Sequence, residues 1–163
     1  MNYIDITPFD IANGLGCRVT LWVSGCSHHC MGCQNPETWD ENFGRPFTEK
    51  TLQDLISYLS PSTIQGLTLS GGDPLYKNNI EKITEICKKV KEIYPEKTIW
   101  CYSGYIYEQI KDWEILNYID VLVDGKFVFE NRDVTLAFRG SPNQRIIDIK
   151  KTKKENKIIE LNL

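Results

Sequence analysis

At 163 residues, with 41% apolar and 25% charged side chains, the chain has the size and composition of one domain able to bury a single core. Its net charge of -3 offers no basic surface to neutralise a run of phosphates or to dock on anionic lipid, which excludes nucleic acid and membrane surfaces as expected partners. Met1-Asn2-Tyr3-Ile4-Asp5 lacks the basic-then-apolar pattern of an export signal and no later apolar run could span a bilayer, so the six cysteines are expected to be cytoplasmic, reduced and free to bind metal.

Val19 to Val23, β-branched and aromatic, is the first predicted strand and ends at Ser24-Gly25. Thr48 reads as an N-cap for a helix in which Leu52, Leu55, Ile56 and Leu59 share one face, stopped by Pro61. Gly66 to Leu69 is the second strand, followed by Ser70-Gly71-Gly72. Ile80, Ile83, Ile86, Cys87, Val90 and Ile93 then mark a helix ending before Pro95. Thr98 to Tyr102 is the third strand, before Ser103-Gly104. A third helical pattern runs through Ile106, Ile110, Trp113 and Leu116, and Ile119 to Val123 is the fourth strand, before Asp124-Gly125. Ile146 to Ile149 adds a fifth. Lys150 to Lys157 reads as a solvated connector, and the tail Ile158 to Leu163 alternates like a short strand.

Strands alternating with helices predict an α/β fold with a mainly parallel sheet. Four or five such units are too few for a closed eight-stranded barrel, which takes about 250 residues, so a partial, open (β/α) barrel is expected. The domain is placed at residues 1–149, with a lysine-rich C-terminal extension at 150–163. Ligands of parallel βα folds gather at the C-terminal ends of the strands. The clusters Ser24-Gly25-Cys26, Ser70-Gly71-Gly72-Asp73, Ser103-Gly104 and Asp124-Gly125 all fall at such ends.

Cys26-Ser27-His28-His29-Cys30-Met31-Gly32-Cys33 places three thiols on the loop after the first strand. Iron-sulfur clusters usually take four cysteines, so a site with three leaves one iron open to a small molecule. A structural zinc site completed by His28, His29 or a distant thiol is the alternative from these residues alone. The spacing demands neither histidine as a ligand, and both read as exposed loop residues. Cys17, Cys87 and Cys101 read as structural, and Trp22, Trp39, Trp100 and Trp113 as core or interface anchors.

C-x-x-x-C-x-x-C after a first strand resembles the hallmark of the radical S-adenosylmethionine superfamily. Further segments are similar to one branch, the activating proteins of anaerobic ribonucleoside-triphosphate reductase. They are Asn13-Gly14-Leu15-Gly16, Asn35-Pro36-Glu37-Thr38-Trp39, Ser70-Gly71-Gly72-Asp73-Pro74, Val123-Asp124-Gly125-Lys126-Phe127 and Arg139-Gly140-Ser141-Pro142-Asn143-Gln144-Arg145. The resemblance covers residues 1 to about 149.

It implies a partial barrel of the radical S-adenosylmethionine type in which Cys26, Cys30 and Cys33 ligate a 4Fe-4S cluster. The open iron would chelate S-adenosylmethionine, whose reductive cleavage gives a 5'-deoxyadenosyl radical. That radical would take hydrogen from a glycine of the large catalytic subunit of the reductase, and a low-potential donor such as flavodoxin would supply the electron. The cluster and its bound S-adenosylmethionine carry the chemistry, with no further catalytic side chain. By the same resemblance Gly71, Gly72 and Asp73 receive the methionine amino group, and Gly32, Cys33 and Gln34 lie along the nucleoside. Gly32 departs from the aromatic residue that many superfamily members carry before the last cysteine. Ser103, Asp124 and Lys126 end strands where they could meet the ligand or the incoming glycine loop. Residues 127 to 145 are expected to meet the reductase, and the residues themselves offer no account of Arg139 to Arg145. The alternatives are an activase of another glycyl-radical enzyme, such as pyruvate formate-lyase, and a non-catalytic zinc or iron-sulfur module.

Overall fold

The computed structural model describes all residues, Met1–Leu163. Its strands are β1 (Asn2–Asp10), β2 (Arg18–Val23), β3 (Arg45–Pro46), β4 (Gly66–Gly71), β5 (Thr98–Tyr102), β6 (Val121–Asp124) and β7 (Arg145–Asp148). They form one seven-stranded sheet in the spatial order β3-β1-β2-β4-β5-β6-β7. The middle, β2, β4, β5 and β6, is parallel, while β1, β3 and β7 join antiparallel at the flanks. The helices are α1 (Glu49–Leu59), α2 (Ile80–Ile93), α3 (Tyr107–Ile110) and α4 (Ile149–Glu155). The fold is thus mixed α/β, with an open sheet parallel at its centre.

Side chains alternate across a strand, so each strand serves two different surfaces. Val19, Leu21 and Val23 of β2, Leu67 and Leu69 of β4, and Ile99 and Cys101 of β5 join one core with Leu55 and Leu59 of α1 and Ile83, Ile86 and Val90 of α2. Full burial of each such aliphatic side chain contributes about 1.5–3 kcal/mol. On the other face Trp100, Val121, Val123 and Ile146 form a separate cluster with Tyr102, Phe138 and Leu161. The chain between β6 and β7 forms no α-helix, only a 3-10 turn at Phe129–Asn131, and lays Phe138 on that face.

Thr48 caps α1 as expected, its side chain accepting from Thr51 N–H. Three features differ from the sequence reading. The sequence reading lacks β1 and the two-residue β3, because apolar and polar residues do not alternate cleanly over Asn2–Asp10 and both strands are held by pairing, β1 with β2 and β3 with β1. The third helix is broken: Trp113 turns extended, its N–H taken by Ile110 O at 2.8 Å, and a 3-10 turn at Glu114–Asn117 completes the apolar face. The lysine-rich connector is helical as far as Glu155. Asp148 caps it and Ile149 and Thr152 are buried, while Lys153 Nζ donates to Leu116 O at 2.9 Å. The tail returns along β7, where Leu161 N–H donates to Ile146 O at 2.8 Å. No helix is long and apolar enough to cross a membrane.

Candidate active site

The parallel strands end in turns that are stitched to one another. Gly71 and Gly25 leave β4 and β2 at φ +104° and +98°, a region that favours glycine. Gly72 N–H donates to Val23 O at 2.8 Å, Asp73 N–H to Gly25 O at 2.8 Å, and Gly25 N–H to Thr38 O at 2.7 Å. A Cβ on Gly72 would stand 2.6 Å from Gly25 O and 3.0 Å from Thr38 O, so only glycine lets these backbones approach. From this base rises the loop Cys26 to Cys33, closed by Cys33 N–H donating to Cys30 O at 3.1 Å.

Cys26, Cys30 and Cys33 are free, half-buried thiols lining one cavity of about 540 Å³. Gln34, Gly71, Gly72, Asp73, Ser103 and Lys126, all singled out from sequence, line it too. So do Trp22, Ser70 and Tyr102, from alternate positions of β2, β4 and β5, the face without helices. Sequence reasoning set Ser70 at a strand's ligand end but took Trp22 for a core or interface anchor and gave Tyr102 no role, although strand parity could have found all three. Burial pushes the Cys26 thiol up, as does the Asp73 charge, while hydrogen bonds from the His28 and His29 backbone pull it down.

Asp73 is held by several partners in the cavity wall. Its carboxylate, 2% exposed, accepts from Leu75 N–H at 2.8 Å, Ser103 Oγ at 3.0 Å and Gly104 N–H at 3.1 Å, and lies 2.6 Å from His28 Nε2. It staples the ends of β4 and β5 to the cysteine loop. His28, expected to be exposed, is 9% exposed in its side chain and packs edge-on against Tyr105. Gly104 makes room for it, since a Cβ there would stand 2.4 Å from the imidazole.

Asp124 and Gly32 are not among the residues lining the cavity. Asp124 has the parity of Leu122 and points to the helix side, where Arg145 Nε donates to it at 2.9 Å and Tyr107 N–H at 2.7 Å. Arg145 also grips Glu108, which holds that carboxyl down at about 2. A Cβ on Gly32 would stand 2.2 Å from the Phe129 ring. The segment Arg139 to Arg145 now has a structural account: Gln144 Nε2 donates to Gly125 O at 3.1 Å and Asn143 Nδ2 to Lys126 O at 2.8 Å, which holds the Lys126 loop at the cavity.

A family model described as a 4Fe-4S single cluster domain matches residues 12–147. The anaerobic ribonucleoside-triphosphate reductase-activating protein of Enterobacteria phage T4 is 51% identical over 146 residues, covering 90% of this chain and 93% of the relative. Those of Pasteurella multocida (45%, 90% of this chain and 96% of the relative) and Escherichia coli strain K12 (43%, 88% and 96%) are similar over the same extent. The chain belongs to the family of anaerobic ribonucleoside-triphosphate reductase-activating proteins. Its resemblance to that branch, drawn from motifs, is therefore sound, and it carries the 4Fe-4S domain of these activating proteins.

The cavity suits such a group in this family member. No set of His, Cys, Asp and Glu side chains converges as on a single metal ion. The loop histidines are engaged elsewhere, His28 by Asp73 and His29 by stacking on Trp39. An iron-sulfur cube asks instead for thiolates spread around a body several ångströms wide, and sulfur is what the loop offers. Two buried side-chain nitrogens find no hydrogen-bond partner, Trp39 Nε1 and Arg139 Nε, and both belong to residues lining this cavity.

Proposed function

We propose that the protein activates an anaerobic ribonucleoside-triphosphate reductase by reductive cleavage of S-adenosylmethionine at a 4Fe-4S cluster held by Cys26, Cys30 and Cys33. The observation that carries this reading is the meeting of those thiols and the Gly71-Gly72-Asp73 turn in one cavity at the ends of the parallel strands. Such a cluster would supply the electron for reductive cleavage of S-adenosylmethionine to methionine and a 5'-deoxyadenosyl radical, which would take hydrogen from a glycine of the reductase.

The chain's own residues bind and orient. Cys26, Cys30 and Cys33 would hold such a cluster through three of its irons and leave one iron for the ligand. The backbone at Gly71 and Gly72 lets the methionine end approach closely, and Cys33 and Gln34 run along the nucleoside. Ser103 and Asp73 hold the cysteine loop, through His28, against the ends of β4 and β5, and Lys126 lines the same cavity. Holding reactants at fixed separation is the main service such a site renders.

In this reading residues 1–149 are the activase unit, a partial barrel of the radical S-adenosylmethionine type, and 150–163 is an extension packed on it. Lacking a helical cover, the cavity face admits a loop of the large reductase subunit past residues 127–145. The electron comes from a low-potential cytoplasmic donor such as a flavodoxin. The test is anaerobic reconstitution with iron and sulfide, reduction, and assay of 5'-deoxyadenosine with and without the reductase subunit, together with its electron paramagnetic resonance (EPR) spectrum. Cysteine-dependent deoxyadenosine and a glycyl-radical doublet are expected. A loaded cluster that leaves S-adenosylmethionine intact overturns the reading.

A further inference from the structure

Most of the cavity wall is tied to the sheet or to the cysteine loop by hydrogen bonds. Asn13 O accepts from Thr68 Oγ1 at 2.8 Å, Thr38 O accepts from Gly25 N–H at 2.7 Å, and Asp73 holds Ser103, Gly104 and His28. One stretch is built differently. Val128 N–H donates to Ser141 Oγ at 3.1 Å, and Gln144 Oε1 accepts from Gly140 N–H at 2.9 Å and Ser141 N–H at 3.2 Å, so the chain leaves and returns through one bonded neck. Beyond it, residues 129–137 make hydrogen bonds only among themselves and to the neck, as from Asp133 N–H to Gly140 O at 3.0 Å. Arg132, Asp133, Val134 and Leu136 of this stretch line the cavity, and Val134 is 80% exposed. Compact surface loops whose ends meet frequently carry function.

Aromatic rings hold this loop down instead. Phe138 lies edge-on to the buried Trp100, ring centroids 5.5 Å apart, and anchors the returning arm to the sheet. The outgoing arm is held by Phe129, whose ring rests on Gly32 of the cysteine loop. A Cβ on Gly32 would stand 2.2 Å from that ring, so the missing side chain is what seats it. Phe129 stays 47% exposed, which makes the seat shallow, and neither Phe129 nor Gly32 lines the cavity.

We propose that residues 129–137 are a flap, latched by Phe129 on Gly32, that keeps the cavity closed until the glycine-bearing segment of the reductase lifts it. This rests on the reading above, in which the cavity takes a cluster and S-adenosylmethionine. About 540 Å³ is room for one small ligand. With both groups in place, a protein segment enters only if a wall gives way, and this loop moves without breaking a hydrogen bond to the sheet or the cysteine loop. Closure before the partner arrives keeps water from the site, the usual service of a lid.

The latch is tested with trypsin on the anaerobically loaded protein, without the reductase. Proteolysis tracks the population of an opened loop, and losing half the burial of a phenylalanine changes that population about tenfold. Phe129→Ala should therefore be cut after Arg132 about tenfold faster than the parent, and Phe129→Tyr, which keeps the ring, at the parent rate. The partner's part is read by fluorine NMR of para-fluorophenylalanine placed at position 129. S-adenosylmethionine should leave its resonance in place, whereas the reductase subunit should move it toward that of the free amino acid. Equal cutting of all three proteins, or a resonance that stays put while the glycyl radical accumulates, overturns the inference and leaves the cluster reading standing. A loaded parent that leaves S-adenosylmethionine intact overturns the cluster reading and with it the flap's role, even where trypsin finds the latch.

Discussion

Toward α1 and α2 the sheet presents Leu21, Leu67, Leu69 and Ile99, all fully buried among apolar neighbours. On the opposite face Trp22, Ser70 and Tyr102, at positions of the other parity on the same strands, line the cavity that Cys26, Cys30 and Cys33 share. The thiols divide in the same way. Cys87 and Cys101 lie in the helix-side core, where burial pushes Cys87 up to about 12 and Cys101 well above its ordinary value. The thiols of the loop are half-buried and open onto the cavity. Residue type thus does not decide a cysteine's chemistry; the face it stands on does, because burial among apolar groups penalises the thiolate that metal binding requires.

The largest separation of the two faces is expected from cysteine exchange. Replacing Cys26, Cys30 or Cys33 singly by Ser should reduce S-adenosylmethionine cleavage to background and lower bound iron, whereas Cys87→Ala should keep both. Equal loss in the two classes would erase the distinction. Leu69→Ala, on the helix side, should cost about 2–5 kcal/mol in urea unfolding while the loaded cluster keeps its spectrum. Gly72→Ala should act the other way. Its Cβ meets backbone oxygens that cannot swing aside, so about 1–3 kcal/mol of strain falls on the turn beneath the cysteine loop, and cleavage should fall more than stability does.

A smaller effect is expected at the Asp73 staple. His28→Ala should speed loss of iron to a chelator by about 10–100-fold, the usual range for groups that orient metal ligands, and His28→Gln, which keeps a donor, should recover part of it. Iron retention indifferent to both changes would return His28 to the exposed residue that its sequence context suggests. The smallest effect concerns pH. A Cys87 thiol at about 12 in the fold and about 8.5 unfolded contributes stability that is whole below about 8.5 and is lost as pH rises toward about 12, since the unfolded chain ionises first. The stability gap between the parent and Cys87→Ala should therefore narrow as urea midpoints are measured from pH 8 to pH 10.

The sequence by itself determined the order of the central elements, because their signals are local. Short apolar runs bounded by glycine-containing turns mark β2, β4, β5 and β6, helical spacing marks α1 and α2, and Thr48, Pro61 and Pro95 bound the helices. It also determined the thiol loop and the family, whose motifs are contiguous. Tertiary structure decided what depends on partners far away along the chain. β1 exists because β2 is there to pair with it, and α4 because Ile149 and Thr152 find cover. Asp124 points away from the cavity because strand parity, not its place at a strand end, directs a side chain, and Arg145 and Tyr107 are waiting on that side. Asp73, His28 and Ser103 stand at three separate places in the sequence and meet only when β4 and β5 lie side by side. A hydrogen bond needs its two atoms within about 3 Å, and for residues tens of positions apart only the completed sheet sets that distance.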